Sequence, residues 1–190
     1  IELGLVGSEM CIRDSLEGVY RNILSSNGVD TFDARAKIAD PHTVELSTGE
    51  RKTAKHILVA TGGKPVKPDL PGAEHAITSN DIFHLDQLPK SILIIGGGYI
   101  ACEFAGILNG LGVQVTQYYR GAQILRGFDE EARGLIAEEM IQGGINLHLG
   151  TNILEMEPVE GGYRVKATNG DEQVFEKVMF ATGRSPNTEE

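Results

Sequence analysis

A glycine-rich turn between an apolar run and a helical pattern is the feature that most restricts how this chain folds. Residues 92–95 are continuously apolar, and residues 96–101 follow at once with the pattern G-x-G-x-x-A. Apolar residues then recur at helical spacing over positions 100–111, and residues 113–119 alternate like a second strand. This order of strand, glycine turn, helix and strand predicts a βαβ unit of a parallel sheet.

The glycines of this turn carry chemical meaning because they stand at the beginning of a helix. The first glycine allows the tight turn, the second allows close approach of a pyrophosphate, and the small Ala101 lets the helix pack on the strand. The free N–H groups at the helix N-terminus attract an anion. A glycine motif alone is a weak signal, but in this context it predicts a dinucleotide-binding site.

The end of the second predicted strand indicates which dinucleotide binds. An NAD site usually places Asp or Glu there to accept hydrogen bonds from the ribose, yet residues 116–123 contain no acid. Instead the chain offers Arg120 and Arg126, and guanidinium groups form charge-assisted hydrogen bonds with phosphate. The sequence therefore favours NADP(H) over NAD(H), with two solvated surface arginines as the alternative.

The composition excludes several other classes of function. The 190 residues carry 17 basic and 27 acidic side chains, and the net charge of -10 argues against nucleic acid or an anionic membrane as a partner. No apolar run is long enough to span a bilayer. The two cysteines give no disulfide framework, and the five scattered histidines give no metal-ligand spacing. We expect a reducing, cytoplasmic setting and no metal ion.

Residues 1–15 differ from the rest of the chain because they have no sustained helical or strand period. They also lack the basic start of a signal peptide. We interpret them as a segment that is not native to the fold, with a genuine divergent N-terminus as the alternative. Cys11 belongs to this segment, which leaves Cys102 as the native thiol. Cys102 has no catalytic context and fits a small buried side chain.

One short pattern occurs twice in the chain. Residues 57–65 and residues 178–186 each give three apolar residues, then Ala-Thr-Gly, then two further residues and a proline. Each copy predicts a short buried strand that ends at a glycine and leaves through an extended step before the proline. Two such passages on either side of the glycine motif predict that one domain is inserted into another.

The remaining patterns supply the other predicted elements. Residues 16–25 carry a helical stripe, and residues 43–47 pair with residues 54–60 in a predicted hairpin. A second helix begins after Asp129 and ends at Gly143. The predicted strands downstream are 145–149, a meander of 151–157, 162–167 and 172–176, and a return to the parallel sheet at 178–181.

Several motifs together resemble one family of enzymes. The stretches Gly-Gly-Gly-Tyr-Ile-Ala-Cys-Glu-Phe-Ala-Gly, Tyr-Tyr-Arg and Ile-Leu-Arg-Gly-Phe-Asp resemble the NADPH domain of glutathione-disulfide reductases. The stretches Asp-Pro-His-Thr-Val and Ala-Lys-His-Ile-Leu-Val-Ala-Thr-Gly-Gly are similar to the same group. That group belongs to the flavoprotein pyridine nucleotide-disulfide oxidoreductases. The resemblance covers about residues 16–188.

The resemblance implies an α/β fold with one domain inserted in another. A Rossmann-like dinucleotide-binding domain, made of a parallel sheet and a β-meander, is expected to interrupt a partial FAD-binding domain. Residues 16–62 are then part of the FAD-binding domain, and residues 63–88 are a linker. Residues 89–184 form the NADPH-binding domain, and residues 185–190 return to the FAD-binding domain.

The resemblance also implies roles for matching positions. Arg120 and Arg126 are expected to hold the 2′-phosphate, Tyr99 to cover the nicotinamide pocket, and Glu103 to face the carboxamide. From the residues alone, Tyr99 is equally a packing residue and Glu103 equally a helix-favouring acid. Gly121 replaces a basic or polar residue common in the family, which predicts a slightly weaker phosphate clamp. The expected cofactor-binding residues are Gly96, Gly97, Gly98, Tyr99, Ile100, Ala101, Glu103, Arg120, Arg126 and Gly183 for NADP(H), and Ala36, Thr61 and Gly62 for FAD.

The implied activity passes a hydride from NADPH to FAD and on to a redox disulfide that reduces glutathione disulfide. The Cys-x-x-x-x-Cys and the His-Glu pair of the family are not in this sequence. We therefore expect no catalytic residue here, a fragment that is inactive alone, and a homodimer when complete. Another disulfide reductase of the mercuric or trypanothione type, and a non-catalytic NADP(H)-binding module, are the alternatives.

Overall fold

The computed structural model describes residues 15–188, so the predictions for residues 1–14 and for residues 189–190 lie outside the described residues. The chain divides into two compact units, residues 1–60 and residues 61–190. The first unit contains a helix and a small antiparallel sheet, and the second contains the glycine motif and both arginines discussed above.

The first unit holds one helix and three short strands among its described residues. Helix α1 covers residues 15–26, so the prediction of a helix from the apolar stripe is confirmed. The strands pair antiparallel in chain order, and they are β1 (Ala36–Asp40), β2 (Thr43–Leu46) and β3 (Arg51–Thr53). The Asp40 carboxylate accepts a 2.8 Å hydrogen bond from the backbone N–H of His42 at the turn after β1. That hydrogen bond lowers the pKa of Asp40.

The predicted hairpin is wrong in its second arm. Strand β3 takes that place, and residues 54–60 form no strand. Leu58 is 90% exposed and Val59 is 60% exposed. An apolar run becomes a buried strand only where a neighbouring strand pairs with its backbone, and no strand within residues 15–188 pairs with this one. The first copy of the repeated pattern is therefore not a buried strand.

Limited proteolysis should cleave the chain first between residues 54 and 62. This stretch has no paired strand before β4 (Gly63–Pro65), and exposed unpaired backbone is what a protease binds. Mass spectrometry of timed digests should reveal a resistant fragment that begins near residue 61. A fragment covering residues 15–53 that outlives the rest of the chain would contradict the prediction.

The second unit is built on a five-stranded parallel sheet. Numbered along the chain, its strands are β5 (Ile77–Thr78), β6 (Ser91–Ile95), β7 (Gln114–Tyr119), β8 (Asn146–Leu149) and β12 (Lys177–Phe180). They lie in the order β5-β12-β6-β7-β8, and each neighbouring pair is parallel. The four apolar residues of β6 are at most 2% exposed, because both faces of the sheet are covered. The predicted central strand and the predicted return strand are confirmed.

Two helices connect successive strands of the parallel sheet. Helix α2 (Tyr99–Gly110) links β6 to β7, and α3 (Glu130–Gln142) links β7 to β8. Ala101, Ala105 and Leu108 of α2 are buried with residues of β6 and β7 in one core cluster. The Asp129 side chain caps α3 by accepting a 3.0 Å hydrogen bond from the N–H of Ala132. No helix in the described part of the chain is long and apolar enough to cross a membrane.

The opposite face of the sheet packs against a β-meander. Its strands are β9 (Ile153–Val159), β10 (Gly162–Ala167) and β11 (Glu172–Phe175), paired antiparallel in chain order. Met156, Val165 and Phe175 of the meander form a second core cluster with Tyr118 of β7 and Phe180 of β12. The predicted architecture, an α/β fold with a parallel sheet and a meander, is confirmed.

The segment predicted as a linker, residues 63–88, contributes to this second unit. It contains β4 (Gly63–Pro65), which pairs antiparallel with β13 (Arg184–Pro186), and it also contains β5. Its apolar residues Ala73, Ala76 and Ile82 are buried in the two core clusters. The assignment of residues 16–62 and 185–190 to one domain and of residues 89–184 to another stays a prediction.

Candidate functional site

The turn after β6 requires a glycine at position 96. Gly96 has a φ of 146°, and a Cβ there would collide with the backbone carbonyl of Ala181 at the end of the neighbouring strand. Its N–H donates a 2.9 Å hydrogen bond to the carbonyl oxygen of Tyr118 on the other side. The first glycine of the motif is thus clamped between β12 and β7 by backbone contacts.

The second glycine makes room for an aromatic ring. A Cβ on Gly97 would lie 2.5 Å from Cδ2 of Tyr119, which is inside the ring's own van der Waals envelope. The carbonyl oxygen of Gly97 accepts a 2.6 Å hydrogen bond from the N–H of Leu125. The sequence predicts only that this position lets a pyrophosphate approach. The structure adds that the Tyr119 ring packs against Gly97, and that the carbonyl of Gly97 holds the loop after β7.

The N-terminus of α2 presents unpaired backbone donors at this turn. Its N-cap Gly98 is extended, with φ -84° and ψ 177°, and no side chain caps the helix there. The first intrahelical bond runs from the N–H of Cys102 to the carbonyl oxygen of Gly98, at 3.2 Å. The N–H groups of Tyr99, Ile100 and Ala101 therefore have no acceptor within the helix. Such an end attracts an anion.

A cavity of about 500 Å³ opens at the carboxyl ends of β6 and β7. Six of the predicted site residues line it, and they are Gly96, Gly97, Gly98, Arg120, Arg126 and Gly183. Tyr118, Tyr119 and Asn152 line it as well. Ligands of open α/β sheets bind in such crevices outside the carboxyl ends of the strands.

Both arginines line this cavity, and neither has a partner among the described residues. Arg120 and Arg126 are exposed, and neither makes a hydrogen bond or an ion pair with any residue in 15–188. Leu125, which precedes the second arginine, has a φ of 56°, an uncommon backbone conformation for a bulky residue. It is held there by its bond to Gly97 and by burial. The loop thus places Arg126 beside the glycine turn at a cost in local strain.

A side chain of α3 holds the same loop in place through two hydrogen bonds. Nε of Arg133 donates a 2.7 Å hydrogen bond to the carbonyl oxygen of Ile124. Nη2 of Arg133 donates a 3.0 Å hydrogen bond to the carbonyl oxygen of Gln123. This third arginine supports the loop, whereas Arg120 and Arg126 project from it.

The other predicted NADP(H) residues lie around the start of α2. Tyr99 and Ile100 line a second cavity of about 230 Å³, which shares Gly98 and Gly183 with the first cavity and adjoins it at the glycine turn. Ala101 is buried under the helix and lines neither cavity. Glu103 is exposed on α2 and also lines neither.

The three residues predicted for FAD are not brought together in one unit. Ala36 lies in β1 of the first unit, while Thr61 and Gly62 lie in the second unit. The Thr61 hydroxyl donates a 3.0 Å hydrogen bond to the carbonyl oxygen of Asn187, and the Asn187 amide returns one of 3.0 Å. Their role toward FAD stays a prediction.

Gln117 is a residue that sequence reasoning missed. It is fully buried in β7, and its Nε2 donates a 2.9 Å hydrogen bond to the carbonyl oxygen of Gly96. The same nitrogen lies 3.7 Å from Sγ of Cys102, and Oε1 has no hydrogen-bond partner among the described residues. Burial raises the pKa of the half-buried Cys102 thiol. A long polar residue within a central parallel strand was the available signal.

A Gln117→Met variant should lose stability because the carbonyl of Gly96 then has no donor. Leaving that buried acceptor unsatisfied costs about 1–3 kcal/mol in the free energy of unfolding, and removing the unpartnered Oε1 offsets part of this cost, so the net loss should lie at the lower end of the range. Urea denaturation followed by circular dichroism measures this loss. The matched control is Gln114→Met, since Gln114 is exposed on the same strand and should change little. A Gln117→Met protein as stable as the wild type would show that the bond does not support the turn.

Within residues 15–188, no group of three or more His, Cys, Asp and Glu side chains is arranged to hold a metal ion.

Comparison with known proteins places these features in a family. The family described as pyridine nucleotide-disulphide oxidoreductase matches residues 7–190. A glutathione reductase of Burkholderia cepacia is 49% identical over 173 residues, which is 91% of this chain and 38% of that protein. The glutathione reductase of a Nostoc species is 46% identical over 92% of this chain and 38% of its own length. The chloroplastic/mitochondrial glutathione reductase of Pisum sativum is 44% identical over 98% of this chain and 34% of its own length.

Solved structures agree at the level of the fold. The HOCl-induced flavoprotein disulfide reductase RclA from Escherichia coli superposes with a TM-score of 0.71 at 24% identity, over 85% of this chain and 38% of that one. The chain thus spans less than two fifths of the length of the relatives it matches. From the glycine turn, the parallel sheet and the family match over nearly its whole length, this chain belongs to the pyridine nucleotide-disulphide oxidoreductase family.

Proposed function

We propose that the second unit binds NADPH, with the 2′-phosphate held by Arg120 and Arg126. The observation that carries this proposal is the pair of unpartnered guanidinium groups in the same 500 Å³ cavity as the glycine turn. Each guanidinium presents a planar fork of donors that suits a phosphate. The chain has a net charge of -10, so two cations in one cavity with no acidic partner within residues 15–188 are unusual and indicate an anionic ligand.

The rest of the dinucleotide fits the features beside that cavity. The open N–H groups of α2 would meet the pyrophosphate, because a helix N-terminus stabilises an anion. The smaller cavity beside Tyr99 would take the nicotinamide end, with Tyr99 at its mouth. NADPH would supply a hydride to whatever acceptor faces it. The protein's part is to hold the two ends of the cofactor in adjoining cavities.

We infer that the complete protein is a flavoprotein disulfide reductase of the glutathione reductase type. Three glutathione reductases, 44–49% identical to this chain, support that choice over mercuric or trypanothione reductases and over a non-catalytic module. FAD as second cofactor, with Ala36, Thr61 and Gly62 against it, glutathione disulfide as substrate, a homodimer and a cytoplasmic location belong to this proposal. Because the chain spans at most 38% of these relatives, it is proposed to be inactive alone.

Isothermal titration of the 190-residue chain with NADPH and with NADH tests the NADPH site. NADPH should bind more tightly, because only NADPH carries the 2′-phosphate. Added salt should reduce the difference, since partly exposed ion pairs are screened. Equal affinity for the two cofactors would contradict the assignment of NADPH. Absence of binding by either cofactor would contradict a dinucleotide site altogether.

A further inference from the structure

Tyr119 lies between two glycines at the edge of the proposed NADPH site. It is the last residue of β7, and its side chain is half-buried. The near half of its ring covers Gly97, as described above. The far half covers Gly121, where a Cβ would lie 2.6 Å from Cε1, 2.8 Å from Cζ and 3.0 Å from the hydroxyl oxygen. The ring therefore fits only because both positions lack a side chain.

Two backbone hydrogen bonds hold the chain around Tyr119 in place. The carbonyl oxygen of Tyr119 accepts a 3.1 Å hydrogen bond from the N–H of Thr151. The carbonyl oxygen of Gly121 accepts a 3.0 Å hydrogen bond from the N–H of Gly150. The ring packs against both glycines, which leaves it less rotamer freedom than a fully exposed tyrosine has. A group that is already in place loses little conformational entropy when it binds a ligand.

Tyr119 lines the cavity of about 500 Å³, and its hydroxyl, which lies beside Gly121, has no hydrogen-bond partner among residues 15–188. The neighbouring side chains in that cavity include Arg120 and Arg126, which are also unpartnered. A phenol hydroxyl can donate to a phosphate oxygen, and such a charge-assisted bond is stronger than one between neutral groups. Tyr119, Arg120 and Arg126 line the same cavity, and one anionic group bound there could accept hydrogen bonds from all three side chains.

We propose that the Tyr119 hydroxyl is a third recognition group for the 2′-phosphate and contributes to the preference for NADPH over NADH. This inference rests on the proposed function, because it takes the bound anion to be the 2′-phosphate of NADPH. It also gives Gly121 a role. A side chain at that position would displace the tyrosine ring, because its Cβ would lie 2.6 Å from Cε1 of Tyr119.

The test is a Tyr119→Phe variant of the full chain, which keeps the ring between the glycines and removes the hydroxyl. Titration calorimetry with NADPH, NADH, adenosine 2′,5′-bisphosphate and adenosine 5′-monophosphate measures the effect. The two ligands with a 2′-phosphate should bind about tenfold more weakly than to the wild type. The two ligands without it should be unchanged. Tyr163→Phe, which removes a hydroxyl from β10 outside this cavity, is the matched control and should alter no affinity.

The outcomes separate this inference from the proposed function. If the wild type prefers NADPH and Arg120→Ala removes much of that preference while Tyr119→Phe does not, the inference is wrong and the proposed function stands. An equal loss for all four ligands would also overturn it, since the hydroxyl would then serve the fold or the adenosine. If the wild type binds no dinucleotide, both the proposed function and this inference fail.

Discussion

NADPH should bind an Arg120→Ala, Arg126→Ala double variant about a hundredfold more weakly than it binds the wild-type chain, while NADH binding stays nearly unchanged. Each guanidinium is expected to form a charge-assisted hydrogen bond with the 2′-phosphate, worth about 1.5–3 kcal/mol. At about 1.4 kcal/mol per decade, each arginine supplies about tenfold or more in affinity. Both side chains are exposed, which favours the lower end of that range.

The control variants distinguish recognition from a general effect of charge. Arg164→Ala removes one positive charge from β10, where Arg164 pairs with Glu157 at 2.7 Å and lines no part of the cavity. It should leave both affinities unchanged. Arg120→Lys keeps the charge but loses the planar fork, so it should restore only part of the NADPH affinity. If NADH binding falls as much as NADPH binding in the double variant, the arginines support the fold or the pyrophosphate, and the assignment of NADP is wrong.

The β6-α2-β7 unit could be predicted because its signals are local. A continuous apolar strand, a glycine turn and a helical stripe each depend on residues close together in sequence, and each was found with bounds shifted by about a residue. The predicted arginines also reached one cavity with the glycines, because the carboxyl ends of parallel strands meet at one edge of the sheet. Periodicity and strand direction were enough for these features.

Features that depend on distant partners could not be predicted in this way. Residues 57–60 are as apolar as a buried strand, but burial depends on a neighbouring strand, which sequence pattern does not reveal. The pairing of Tyr119 with Gly97 depends on the orientation of one ring across 22 positions of sequence (119 minus 97). Gln117 could not be predicted for the same reason, because its amide donates a hydrogen bond to the carbonyl of Gly96, which lies in the turn after the neighbouring strand β6.

A Gly96→Ala variant should lose about 2–6 kcal/mol in the free energy of unfolding of the second unit. An alanine at a φ of 146° costs about 1–3 kcal/mol in backbone strain. Its Cβ would also collide with the carbonyl of Ala181, and forcing an extra methyl into a packed site costs about 1–3 kcal/mol more. Because backbone atoms cannot rotate aside as a side chain can, the turn itself must move. NADPH affinity should fall as well, since the N–H groups of α2 follow that turn.

Gly106→Ala is the matched control, and its stability should change in the opposite direction. Gly106 is exposed within α2, and a Cβ there would meet nothing within 4 Å. Alanine in a helix interior is favoured over glycine by about 0.5–1 kcal/mol. Urea denaturation of the two variants and the wild type, followed by circular dichroism, compares the same chemical change at two glycines. If Gly96→Ala is as stable as Gly106→Ala, the turn is not clamped between β12 and β7, and the first glycine of the motif is required only by the ligand.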